Sequence, residues 1–331
     1  MLGQKIAMYI NIFLFIVLIL VLVSIFLRWN AVPFSVSPLS REHFVATESE
    51  QLALFYELEP GDEVVDEYPW LPKTARQTIT KDGFNERFEY TVKKPKDVFR
   101  IMTLGDSFTY GMYVNTEENY SEQLEDMLNN SCRSDGQRFE VINAGVPGYD
   151  VAYTSERLKN RGAQYEPDLF VWYLNNPFHK WNEIVIHLNN ECANNTPEEE
   201  YNSVQPDGSV IHTCSIQVGQ ELEKRKSFQD IIDYQSGYLL TTIDAIAGQW
   251  VLFADIQTHR ENNELLNEVA AQNDRVYFLE DPVDIYSDTR YRIPDGHPSP
   301  AGHVKIAEDI FNYLTDNRLI ACDTSGAQRY D

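Results

Sequence analysis

Three short stretches of this chain carry residue types suited to acyl transfer. Gly105-Asp106-Ser107-Phe108-Thr109-Tyr110-Gly111 places a serine directly after an apolar run. A serine where a strand gives way to a turn or helix exposes its oxygen, and neighbouring backbone N–H groups can face an oxyanion. Alone, such a serine reads as a helix cap. Pro294-Asp295-Gly296-His297-Pro298 sets a carboxylate two residues before a histidine. That carboxylate can accept from one imidazole nitrogen and leave the other as a base toward a serine. Asn143-Ala144-Gly145-Val146-Pro147-Gly148-Tyr149 follows a second apolar run and offers glycine N–H groups. Nucleophile, base, orienting acid and oxyanion donors together would be an acyl-transfer site.

These residues need a frame. Apolar runs at 98–104, 139–143, 168–174, 250–256 and 275–279 read as five strands. Helical spacing appears at 116–129, 151–161, 228–246, 261–271 and 300–315, with Ser227 and Asp230 resembling a capping box before the third. Strands alternating with helices predict a parallel sheet covered on both faces. Run 168–174 is apolar throughout, as a strand buried on both faces should be. About 75 excess residues separate the third and fourth strands. Part of them, 178–226, reads as an insertion over the carboxyl edge, where open α/β sheets bind ligands. Partial alternation around Asp82-Gly83 predicts a lead-in hairpin within 77–92. The expected organisation is a tip and anchor over 1–28, a stalk and lead-in over 29–97, and a catalytic domain over 98–331.

The anchor follows from the 22 uncharged residues between Lys5 and Arg28. As a helix they would be about 33 Å long, enough to span a bilayer and too long for a cleaved signal. Trp29 falls where an interfacial aromatic would sit, whereas the nearby basic residues give no orientation. The four cysteines supply it. An even count in an anchored chain fits two disulfides in an oxidising, extracytoplasmic compartment, periplasmic or extracellular. Cys192 and Cys214, close in sequence, are expected to pair, leaving Cys132 with Cys322. His187 and His212 flank the first two, so zinc is the sharper alternative, although the spacings match no usual ligand pattern. Lys plus Arg number 27 against 51 Asp plus Glu, a net charge of −24. That argues against nucleic acid as a partner and against docking on anionic lipid through a basic face. Asn119, Asn129 and Asn194 lie in N-x-Ser/Thr sequons, which are common by chance.

Taken in order, the three stretches resemble the SGNH (GDSL-type) hydrolase superfamily. Gly105-Asp106-Ser107 matches its first block, Asn143 to Gly148 its second and Asp295 to His297 its last. The resemblance covers roughly residues 98–317. It implies a flavodoxin-like three-layer α/β sandwich around a five-stranded parallel sheet. It also implies Ser107 as nucleophile, His297 as general base and acid, and Asp295 orienting His297. The oxyanion hole would take the N–H groups of Ser107 and Gly148 and an asparagine amide from the third block. That block departs from the usual Gly-x-Asn-Asp: it reads Tyr173-Leu174-Asn175-Asn176-Pro177, and position along the strand favours Asn176 over Asn175. Asp-x-His also replaces the commoner Asp-x-x-His, leaving Asp281 or Asp284 as substitutes for Asp295. His303 reads as a packing or capping residue, His179 as part of the insertion, Asp106 as a turn holder, and Tyr110 and Tyr149 as core.

The expectation is a membrane-anchored extracytoplasmic serine esterase or O-acyltransferase. It would act on acyl, chiefly acetyl, esters of a small molecule or glycan, with no cofactor or metal required. The rival is a non-catalytic glycan-binding or assembly protein on the same fold.

Overall fold

The computed structural model describes residues 43–132, 137–175, 180–197, 200, 202–246, 248–255, 260–279 and 284–322. The expected anchor, together with Asn176, His179 and Asp281, lies outside the described residues. Among the described residues no helix is long and apolar enough to cross a membrane.

Two antiparallel pairs come first: β1 (Phe44–Thr47) with β2 (Phe55–Leu58), and β3 (Glu63–Asp66) with β4 (Ala75–Thr78). Then β5 (Val98–Leu104), α1 (Ser107–Tyr110), α2 (Tyr120–Ser131), β6 (Arg138–Asn143), α3 (Val151–Arg157) and β7 (Leu169–Leu174) follow. The insertion consists of α4 (Asn182–Asn195), a hairpin of β8 (Asn202–Val204) and β9 (Val210–His212), and α5 (Thr213–Arg225). The chain continues with α6 (Phe228–Ala245), β10 (Trp250–Asp255), α7 (Arg260–Ala271), β11 (Val276–Leu279) and α8 (Pro300–Asp316).

The central sheet runs β11-β10-β7-β5-β6, all parallel. Counted by its own five strands this is the flavodoxin-like order 2-1-3-4-5, whose switch point lies beside the first strand. Successive residues point to opposite faces. Ile101, Val171 and Leu252 thus join Leu124, Leu128, Ile306 and Ile310 of α2 and α8 in one core. Met102, Trp172 and Phe253 join Val151, Leu239, Ile243 and Leu266 of α3, α6 and α7 in the other. The expected strands are observed to within a residue or so at each end, and the Ser227–Asp230 capping box is present on α6.

The helix expected over 151–161 changes character part-way. After Arg157 it widens into a π turn, Leu158–Gly162, where Gly162 lies close against Met102.

The expected stalk is different where it is described. Residues 44–58 form a hairpin, and Phe55, Tyr56, Glu57 and Leu58 are all buried. Tyr56 donates to the Pro147 carbonyl (2.8 Å), and Tyr149 and Tyr153 donate to the Tyr56 and Leu54 carbonyls. This segment is part of the wall behind the second block. The hairpin expected around Asp82-Gly83 reduces to a tight turn closed by Thr80 N–H to the Phe84 carbonyl and one bridge, Ile79 to Asn85.

Both disulfides are present as paired above, Cys192–Cys214 within the insertion and Cys132–Cys322 between the end of α2 and the segment that follows α8. With their sulfurs bonded to each other, Cys192 and Cys214 offer no thiolate to zinc. Of the sequons, Asn119 is fully buried and caps α2, so it accepts no glycan.

Candidate active site

Ser107 begins α1 at the carboxyl end of β5. Asp106 caps that helix by accepting from Phe108 N–H at 3.0 Å, the turn-holding role expected of it. The Ser107 hydroxyl donates to His297 Nε2 at 2.9 Å, and His297 Nδ1–H donates to Asp295 Oδ2 at 2.7 Å. Three residues, the outermost 190 positions apart in the chain, therefore form one hydrogen-bonded line.

The Asp-x-His spacing works because of its turn. Gly296 has φ +95°, a region that favours glycine. Its N–H donates to the Ile293 carbonyl, and Ile293 N–H to the His297 carbonyl. The turn folds Asp295 back so that one carboxylate oxygen accepts His297 N–H at 3.1 Å while the other faces Nδ1. Asp284 is exposed and accepts from Tyr286 N–H in its own turn, away from this line.

The imidazole is packed between rings. Phe108 lies 5.2 Å from it, and Tyr113 meets it edge-on at 5.4 Å. Tyr113 holds this position with φ +68°, an uncommon conformation for a bulky residue. Burial by itself would lower the His297 pKa, but the charge and hydrogen bond of Asp295, aided by Asp106, raise it above the ordinary histidine value despite Lys180. For Asp295, burial would raise the pKa. The His297 charge and the donors on His212 and His297 outweigh that and hold the carboxyl well below its usual range.

The second block braces the turn that carries Ser107. Asn143 Nδ2 donates to the Thr109 carbonyl at 2.8 Å, its Oδ1 accepts Gly145 N–H at 3.0 Å, and its own N–H donates to buried Glu86. A Cβ on Gly145 would lie 2.4 Å from Tyr110 N and 2.7 Å from the Thr109 carbonyl carbon. Gly145→Ala is therefore expected to push α1 outward. The expected result is a loss of about 1–3 kcal/mol in stability from overpacking and at least about tenfold in turnover from misplacing Ser107. Urea denaturation and steady-state kinetics measure the two.

Gly148 is exposed in the same loop. Asn175 stands at the end of β7, but its Nδ2 donates to Asp106 Oδ2 at 3.2 Å, beside Lys180 Nζ at 2.9 Å from the same oxygen. Lys180 has no signal in the sequence. It is placed by Gln235, which donates to the Lys180 carbonyl and to Asp150. His303 is buried, accepts Tyr120 N–H at 3.2 Å and has its pKa pushed down to about 3 by burial; it is a packing residue. Tyr149 ties the first hairpin to the second block, and Tyr110 is buried.

Comparison with known proteins gives one family. A model of the GDSL-like lipase/acylhydrolase family matches residues 103–305. No curated protein sequence matches this chain. Similar solved structures include a lipase/acylhydrolase from Enterococcus faecalis, 15% identical, covering 66% of this chain and 96% of that one, with a TM-score of 0.39. A Clostridium thermocellum family 3 carbohydrate esterase is 16% identical, covering 68% and 100%, at 0.39. A two-domain esterase active on acetylated mannans is 15% identical, covering 68% of this chain and 51% of that one, at 0.42.

Proposed function

This chain belongs to the GDSL-like lipase/acylhydrolase family, and from that premise we propose an acyl esterase that works through an acyl-enzyme on Ser107. The observation that carries the reading is the unbroken line from Ser107 through His297 to Asp295. His297 Nε2 takes the hydroxyl proton as Oγ attacks the ester carbonyl. Charge then develops on the carbonyl oxygen, and the N–H groups of Ser107 and Gly148 with an amide of Asn175 or Asn176 are the donors assigned to it. Collapse of the tetrahedral adduct expels the alcohol, which takes the proton from His297. Water, or a sugar hydroxyl in the transferase form of the same chemistry, then attacks the acyl-enzyme with His297 again as base.

We place this chemistry outside the cytoplasm, on a membrane anchor formed by residues 6–27, with an acetyl ester of a glycan or small molecule as substrate. Two disulfides support an oxidising compartment, and the uncharged N-terminal run supports the anchor. A second reading, a non-catalytic glycan-binding or assembly protein, is favoured by one observation: the Asn175 amide is engaged by Asp106. Fluorophosphonate labelling and 4-nitrophenyl acetate hydrolysis by the full-length chain separate the two. Labelling at Ser107 with turnover supports the esterase; a folded chain with neither supports the binding protein.

The rate should also rise with pH through the titration of His297. Only the neutral imidazole accepts the serine proton. Because Asp295 raises the His297 pKa in the folded protein, the half-maximal point of kcat/KM is expected above about 6.5, the ordinary histidine value. A half-maximal point below that value would contradict the site's electrostatics.

A further inference from the structure

The Asp295 carboxylate has a neighbour that the triad does not need. His212, at the end of β9 in the insertion, brings its Nε2 to 3.5 Å from Asp295 Oδ2, the oxygen that also accepts from His297 Nδ1. We infer that His212 is a positioning residue for the proposed ester hydrolysis: it holds the Asp295 carboxylate toward His297, so the insertion completes the site as well as covering it. The inference rests on the esterase reading above.

Several independent features fix this imidazole where it is. The Asp295 side chain has no exposed surface, so each of its oxygens depends on protein donors. The side-chain amide of Asn202, the registered partner of His212 across the β8–β9 ladder, lies 2.6 Å from His212 Nδ1 and sets the plane of the ring; with the amide NH2 turned to Nδ1, the ring proton sits on Nε2, facing Asp295. Val210 N–H, two residues earlier, donates at 2.8 Å to the carbonyl of Pro294, the residue directly before Asp295. Cys214, two residues later, is bonded to Cys192 on α4. The hairpin is thus tied to the Asp-x-His loop on one side of His212 and to the body of the insertion on the other. The sequence suggests His212 only as a zinc ligand. With the neighbouring sulfurs joined, the group it faces is the carboxylate.

The role predicts a particular defect. Removing the His212 N–H leaves Asp295 held by the two His297 donors alone and with less of its charge offset. His297 then holds its proton more tightly and is aligned less often. The other titratable groups that act on His297, namely Asp106, Lys180, Asp66 and His303, are not touched by the substitution.

The test compares full-length wild type, His212→Leu and His212→Gln in 4-nitrophenyl acetate hydrolysis from pH 5 to 9, with thermal melting alongside. His212→Leu is expected to lose about tenfold in kcat with KM within about twofold, and its acid limb should move to higher pH. Glutamine offers an amide N–H at similar reach and should restore kcat to within about threefold of wild type. A purely structural role would change neither the limb nor the response to glutamine. His212→Leu with wild-type kcat and limb overturns the inference, as does an equal loss in both variants. If His212→Leu does not fold, Asn202→Ala, which frees the ring, decides: an unchanged limb overturns the inference and a limb moved upward supports it. A wild type that neither hydrolyses the ester nor labels with fluorophosphonate overturns the esterase reading and this inference with it. An active wild type matched by His212→Leu overturns the inference alone.

Discussion

Ser107→Ala is expected to lower kcat for ester hydrolysis by about 10⁴-fold or more while leaving the fold intact. The size follows from the chemistry: without Oγ no acyl-enzyme forms, and what remains is binding plus whatever the oxyanion donors give to direct attack by water. His297→Ala should cost nearly as much, and the double variant little more than either single one. The two side chains act on one proton in one step, so their losses do not add. Stability should move little. Ser107 is partly exposed, its hydroxyl meets His297, and α1 is capped by Asp106 whether or not residue 107 has a hydroxyl. The loss is about one hydrogen bond, roughly 1 kcal/mol. Steady-state kinetics and a urea melt on the same preparation check both parts. A Ser107→Ala protein that still turns over ester at more than about 1% of wild type would remove Ser107 as the nucleophile.

The line from Ser107 to Asp295 was legible because each member sits in a short local pattern: a serine after an apolar run, and an acid two residues before a histidine. The sheet was legible for a similar reason. A strand buried on both faces, such as Leu169–Leu174, must be apolar at every position, and such runs are conspicuous. What stayed hidden depends on contacts between distant residues. In Phe55–Leu58 all four residues are buried, yet Glu57 breaks the apolar run, so the segment reads as irregular. Only the arginines about a hundred residues on make that glutamate acceptable in a core. His212 reaches Asp295 from 83 positions away by hairpin register, which leaves no periodicity to read. The third block sits between. Its asparagines are plain in the sequence, but that Asn175 is taken by Asp106, beside a lysine from the insertion, appears only once the loops are in place.

The Glu57 contact carries the largest expected effect on stability. The side chains of Glu57 and Arg157 are 2% and 1% exposed, with Arg157 Nη1 2.9 Å from Glu57 Oε1. Arg161 donates to both Glu57 oxygens, at 2.9 and 2.6 Å. Arg157 also donates to the carbonyls of Ala144 (2.9 Å) and Gly83 (2.6 Å), so one guanidinium joins the first hairpin, the Asp82-Gly83 turn and the loop that carries Gly148. Glu57→Ala would strand a buried guanidinium, because arginine does not shed its proton. Breaking one partner of such a buried pair costs about 3–5 kcal/mol, and Glu57→Gln, which keeps one acceptor oxygen, should cost less. The pH dependence has a definite sign. Burial would raise the Glu57 pKa, but the two arginines outweigh it and hold the carboxyl below its ordinary value. Its contribution is therefore present above the unfolded pKa and lost as pH falls through the folded one. Urea denaturation at pH 7 and near pH 4 should show Glu57→Ala well below wild type at the first and closer to it at the second. A difference under about 1 kcal/mol at pH 7 would mean that residues 44–58 behave as the stalk their sequence suggests. A large one makes them a wall of the α/β domain, against which Pro147 of the loop that carries Gly148 is held.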